Sequence, residues 1–170
     1  MRIVDSILME LDQEGKTTRR VLERVPGDKL AWQPHPKSMN LGRLAGHVAE
    51  LPSWTTFTLD REVLEIGSDF KPDVIATRAE LLSKFDQHVA DARKAIAAAS
   101  DADWAVIWTF KWDGKEIMSM PRSAVMRGTI MNHMIHHRAQ LGVFLRLNDV
   151  AIPGMYGPSA DEMKFWEAAK

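Results

Sequence analysis

Apolar residues recur every three or four positions along four stretches of this chain, and each stretch predicts an amphipathic helix. From about Ile3 to Val25 the stripe reads Val4, Leu8, Leu11, Thr18, Leu22 and Val25, and Pro26-Gly27 stops it. The following loop, Leu30 to Pro36, holds two prolines and cannot be regular structure. Ser38 is the expected N-cap of a second helix from about Met39 to Leu59, with Leu41, Leu44, Val48 and Leu51 facing inward and Pro52 kinking it or ending its first half. A third helix runs from about Thr77 to Ala99 on Leu81, Phe85, Val89, Ala92 and Ile96.

The rhythm then changes. Trp104 to Trp112 is rich in aromatic and β-branched residues, and Asp113-Gly114 separates it from Lys115-Glu116-Ile117-Met118, which predicts a β-hairpin closed by Pro121. The fourth helix spans about Arg122 to Leu147, with Val125, Ile130, Met134, Leu141, Phe144 and Leu145 apolar. A proline- and glycine-rich tail leads to a short terminal helix from about Ser159. These elements predict one all-α domain over residues 1–170. Its expected form is a four-helix bundle with a crossover connection, a small hairpin-like insertion before the last long helix, and a short C-terminal helix.

Charge and composition narrow the partners. Twenty-two basic and 23 acidic residues give a net charge of −1, so nothing in the electrostatics points to nucleic acid or an anionic membrane. There is no cysteine, so any metal must be held by nitrogen and oxygen donors. No apolar run approaches the roughly 20 residues that span a bilayer, nor is there a signal-peptide core, and a cytoplasmic location is expected by default.

The candidate chemistry lies in histidines. His133 and His137 are four apart on the last helix, so their imidazoles lie on one face and can grip one ion. His47 sits on the apolar stripe of the second helix, three after Leu44 and four before Leu51, and so faces inward. The plain alternatives are partly buried helix histidines for the pair, or one of them simply exposed, and a hydrogen-bonded core residue for His47. Together, on facing helices of one bundle, the three favour a metal. His35 between two prolines, His88 on the third helix and His136 to one side of the pair carry less signal. Glu50, three after His47, is a candidate catalytic or ligand-orienting residue, against a solvated or salt-bridged acid; Arg138 is a candidate anion clamp, against an ion pair on the bundle surface. Met118, Met120, Met126, Met131 and Met134, like the tryptophans, either line a pocket or fill the core.

Two segments, Lys37 to Leu51 and Asn132 to Leu141, resemble the DinB/YfiT-like metalloenzyme superfamily, and the tail Pro153 to Glu162 resembles that of one large subgroup of it. The similarity runs in order over essentially the whole chain. It implies a four-helix bundle holding a divalent metal on three histidines, one on the second helix and two on the last, which fall here on His47, His133 and His137. Zn²⁺ or Ni²⁺ is expected, with Fe²⁺ also suited to imidazole. Where the family has His-Arg-Gly-Gln, this chain has His137-Arg138-Ala139-Gln140, and Ala139 keeps a small residue at an expected helix contact. Characterised relatives resemble thiol-dependent enzymes: S-transferases using bacillithiol or mycothiol, and a maleylpyruvate isomerase. The resemblance therefore implies a transferase acting on a small-molecule substrate with a low-molecular-weight thiol, in a chain that is often a homodimer. A hydrolase using metal-activated water and a non-catalytic, stress-related metal- or ligand-binding bundle are the other readings.

Overall fold

The computed structural model of the protein describes residues 2–163. Helix α1 (Ile3–Leu22) buries Val4, Leu11, Val21 and Leu22, and stops short of Val25. Helix α2 (Leu41–Glu50) starts at Asn40, whose side chain accepts the Arg43 backbone N–H at 2.8 Å. The cap thus lies two residues beyond Ser38, where it was expected. A 3-10 turn at Leu51–Ser53 then leads into α3 (Trp54–Asp60). Pro52 breaks the α-helical ladder there because it has no N–H to give, but the backbone stays right-handed helical at Glu50, Leu51, Ser53 and Trp54. Helix α4 (Arg78–Ala98) is capped by Thr77, whose side chain accepts the Glu80 N–H at 3.1 Å.

The last helical run is continuous but not uniform. It comprises α5 (Arg122–Ala124), a π-helical stretch (Val125–Asn132) and α6 (His133–Leu147). Within the π stretch the buried pairs are Val125 with Ile130 and Met126 with Met131, each five apart. Such a spacing suits the i→i+5 bonding of a π turn better than a 3.6-residue period. The expected terminal helix falls mainly outside the described residues, while 160–162 form a turn.

Helix α1 packs on α4 and α6, and α2 packs on the same two partners. Consecutive helices α1 and α2 therefore lie across the core from one another, and the connection between them crosses over. The core they enclose includes Leu11, Leu44, Val48, Leu81, Phe85 and Leu141, all essentially buried.

One correction concerns the fold class. The protein is mostly helical, but it carries a three-stranded sheet where a hairpin alone was expected. Strands β2 (Ile107–Trp112) and β3 (Lys115–Pro121) form that hairpin, antiparallel and joined by Asp113-Gly114, both at positive φ (47° and 75°) as a tight hairpin turn of this type requires. Strand β1 (Val63–Ile66) joins β2 in parallel, Val63 opposite Thr109 and Ile66 opposite Trp112, giving the order β1-β2-β3. Parallel pairing needs a long crossover, and α4 lies within it. The sheet and the helix after it brace α3: the Trp108 indole N–H of β2 donates to the Phe57 carbonyl at 3.3 Å, and Arg122 of α5 donates to the carbonyl of Arg61, the α3 C-cap, at 3.2 Å. No helix among the described residues is long and apolar enough to cross a membrane.

Candidate metal centre

Helices α2 and α6 bring His47, His133 and His137 together. His137 Nε2 is 2.9 Å from His133 Nε2, which is 3.4 Å from His47 Nε2. One nitrogen from each ring lies within 4.8 Å of the others, and all three residues are half-buried. A tetrahedral ion with ligand distances of about 2.0–2.1 Å separates its nitrogen donors by about 3.3 Å, close to these spacings.

The opposite ring nitrogens decide what the cluster can hold. His47 Nδ1–H donates to Glu50 Oε1 at 2.6 Å, His133 Nδ1–H to the Thr129 carbonyl at 3.2 Å, and His137 Nδ1–H to Gln140 Oε1 at 2.7 Å. A carboxylate and a carbonyl only accept, so the Nδ1 atoms facing them carry the protons. In neutral rings this leaves the Nε2 lone pairs pointing at each other with no donor between them. Lone pairs held 2.9–3.4 Å apart repel unless a cation sits among them. The residues fit a divalent metal on three imidazoles.

Protons are poor substitutes for that cation. His137 is held down at about 4, first by desolvation, with the neighbouring histidines adding to the fall against the hydrogen bond to Gln140. His133 is lowered too, again first by desolvation and then by His47. For Glu50, burial alone would raise the carboxyl. The hydrogen bond from His47 and the charge of Arg43, 3.2 Å away, outweigh burial and hold it below its ordinary value. Glu50 is thus an anion fixed against the back of the His47 ring, where it sets the ring's tautomer and orientation.

His133 follows the last residue of the π stretch. Its backbone N–H goes to Ile130 O, and the Thr129 carbonyl accepts the ring Nδ1–H instead. Gln140 stands to His137 as Glu50 stands to His47, three residues on, a spacing that flags it as readily as it flags Glu50.

Arg138 goes elsewhere. One position past His137 is about 100° round the helix, so it points away from the imidazoles. Its guanidinium is fully buried, 2.6 Å from Glu14 Oε2 and bonded to Thr18 at 3.0 Å, with Tyr156 stacked on it at 5.2 Å. Tyr156 in turn donates to Glu14 at 2.9 Å, tying the tail to α1 and α6. Arg138 therefore joins a core ion pair and does not reach the histidines. Ala139, expected at a helix contact, is exposed.

The remaining candidates sort by burial. Met126, Met131 and Met134 fill the core, as do Trp104 and Trp108. His35 and His136 are exposed. His88 Nδ1–H donates to the Ala49 carbonyl at 2.9 Å, fastening α4 to α2. Two openings flank the cluster. His47 and Glu50 line a cavity of ≈ 540 Å³ together with Trp54 and Phe57, and His137 and Gln140 line a cleft of ≈ 400 Å³ with Met39 and Phe144.

Known proteins resemble this chain in sequence or in fold. The uncharacterized protein YrdA of Bacillus subtilis (strain 168) is 21% identical over 159 residues, which cover 94% of this chain and 91% of the relative. The crystal structure of a DinB-like protein from Bacillus cereus ATCC 10987 superposes with a TM-score of 0.69 at 21% identity, covering 89% of this chain and 97% of that one. The DinB-like protein YjoA of Bacillus subtilis gives a TM-score of 0.67 at 14% identity, over 88% and 96%. The model of the DinB superfamily matches residues 10–141, which include the three clustered histidines. The chain belongs to the DinB superfamily.

Proposed function

We propose that the protein is a metal-dependent transferase that joins a low-molecular-weight thiol to a small electrophile at the three-histidine site. The observation that carries this reading is the convergence of three Nε2 lone pairs, each ring locked from behind by an acceptor. A divalent ion bound there acidifies a coordinated thiol, making a nucleophile available at neutral pH. With no cysteine in the chain, the sulfur must come from a co-substrate.

The chain's own residues supply the rest. Glu50 holds the His47 ring and remains ionised because Arg43 and His47 both pay into its charge. Trp54 and Phe57 supply an apolar wall to the adjoining cavity, against which the carbon skeleton of an electrophile can rest. Glu50 acts here through His47, as a positioning residue. Zn²⁺ or Ni²⁺ suits the donor set, and a cytoplasmic homodimer is the setting the reading assumes.

The test is conjugation of monochlorobimane to a panel of low-molecular-weight thiols. The expected result is a rate that disappears on chelation, returns with the metal, and is lost in His133→Ala. Metal-loaded protein that conjugates no thiol above the chelated background would overturn the reading. Cleavage of ester substrates without any thiol would transfer the site to the hydrolase reading.

A further inference from the structure

The cavity beside His47 has a composition that selects its occupant. At ≈ 540 Å³ it lies in the range of roughly 300–1,000 Å³ that takes small organic molecules. Trp54, Phe57 and Phe70 supply its apolar wall, and the two phenylalanines are 36% and 49% exposed. Rings of that size left open beside polar chemistry gain by covering themselves with an apolar body.

The charges along the same wall do not cancel. Arg43 is taken by Glu50 at 3.2 Å, and Asp73 by Lys84 at 2.9 Å. Arg61 and Lys71 remain, and neither is ion-paired among the described residues. The Arg61 guanidinium lies over the Phe57 ring at 5.2 Å, a stacked placement that leaves its N–H edge free to bind an anion. Two cations with unspent donors, next to aromatic rings and near a ligand histidine, form a combined apolar and anionic recognition surface.

We propose that this cavity binds a small molecule with a flat apolar body and one carboxylate. The body lies against Trp54, Phe57 and Phe70, the carboxylate on Arg61 and Lys71, and the reacting end toward His47. The assignment of a reacting end rests on the proposed function. Charge selection does not, because Arg61 and Lys71 stand outside the histidine set.

Calorimetric titration of the full-length protein with 2-naphthoate and its neutral isostere 2-naphthamide separates the two. The naphthoate is expected to bind about tenfold more tightly, the scale of a charge-assisted contact at a partly exposed site. In the double variant Arg61→Gln/Lys71→Gln the preference disappears while the amide affinity is kept, which also shows that the cavity is intact. In His133→Ala the preference persists. Equal affinities in the native protein, binding of neither probe, or a preference that survives the double variant overturns the proposal. A preference lost in His133→Ala but kept in the double variant assigns the carboxylate to the metal and overturns it as well. Failure of the thiol-transfer reading leaves a different signature: the charge preference stays intact and no conjugation occurs.

Discussion

Replacing Glu50 by alanine removes an acceptor 2.6 Å from His47 Nδ1 and leaves Arg43 without its carboxylate at 3.2 Å. Of the three supports behind the clustered imidazoles, this one alone carries charge. A hydrogen bond to a charged group contributes about 1.5–3 kcal/mol, which at 1.4 kcal/mol per factor of ten is about 10–150-fold in affinity. The Glu50 side chain is 23% exposed, so solvent screening places the expected loss of metal affinity near the lower end, at about 10–30-fold. Glu50→Gln keeps an acceptor without the charge and is expected to fall between alanine and the native residue. Gln140→Ala removes only a neutral bond behind His137, at about 0.5–1.5 kcal/mol, and should weaken binding about 2–10-fold. Competition for the metal against a chromophoric chelator measures all three, with circular dichroism to verify the fold. If Glu50→Ala binds within about twofold of the native protein, or if Gln140→Ala is the more damaging change, the reasoning from charge-supported ring orientation is refuted.

Other expectations follow from the same contacts. Arg138→Ala strands Glu14 in the core and should cost about 3–5 kcal/mol in denaturant unfolding, with metal stoichiometry unchanged; loss of the metal at full stability would instead place Arg138 at the site. Gly46→Ala sets a Cβ 3.0 Å from Ile75 Cγ1 and should destabilise by about 1–3 kcal/mol, read as a lower melting temperature; an unchanged melt would mean the 71–77 segment gives way freely. In the chelated protein, His137 at about 4 and His133 below its ordinary 6.5 bind fewer protons folded than unfolded. Their contribution to stability is therefore full above about pH 6.5 and is lost as pH falls toward 4. Thermal melts of the chelated protein across that window should show the decline, and show less of it in His137→Ala; an equal decline in that variant would contradict the assignment.

The parts of this site that were legible in the sequence are those set by local helical geometry. His133 and His137 four apart, and His47 embedded among Leu44, Val48 and Leu51, follow from a 3.6-residue period, and the chain folds with those three rings together. Glu50 is legible for the same reason, and Gln140 carries the same three-residue spacing from His137. The five-residue interval from Val125 to Ile130 is a trace of the π stretch, but a single long step is absorbed in a two-turn average. Strand β1 was hidden because its four residues alternate over too short a span, and its partner β2 lies across the whole of α4. Arg138 could be placed on a helix but not paired, since Glu14 is 124 residues away in sequence. Pairings of that kind are decided by which helices share the core, and no local pattern records it.

The central claim is that His47, His133 and His137 hold one metal ion. Elemental analysis of protein purified without added metal, alongside His47→Ala, His133→Ala and His137→Ala, tests it most directly. The account predicts close to one equivalent of a divalent transition metal in the native protein and a marked loss in each of the three variants, all of them still folded. A native protein free of metal that also fails to take up Zn²⁺ or Ni²⁺, or a full equivalent retained in all three variants, would contradict it.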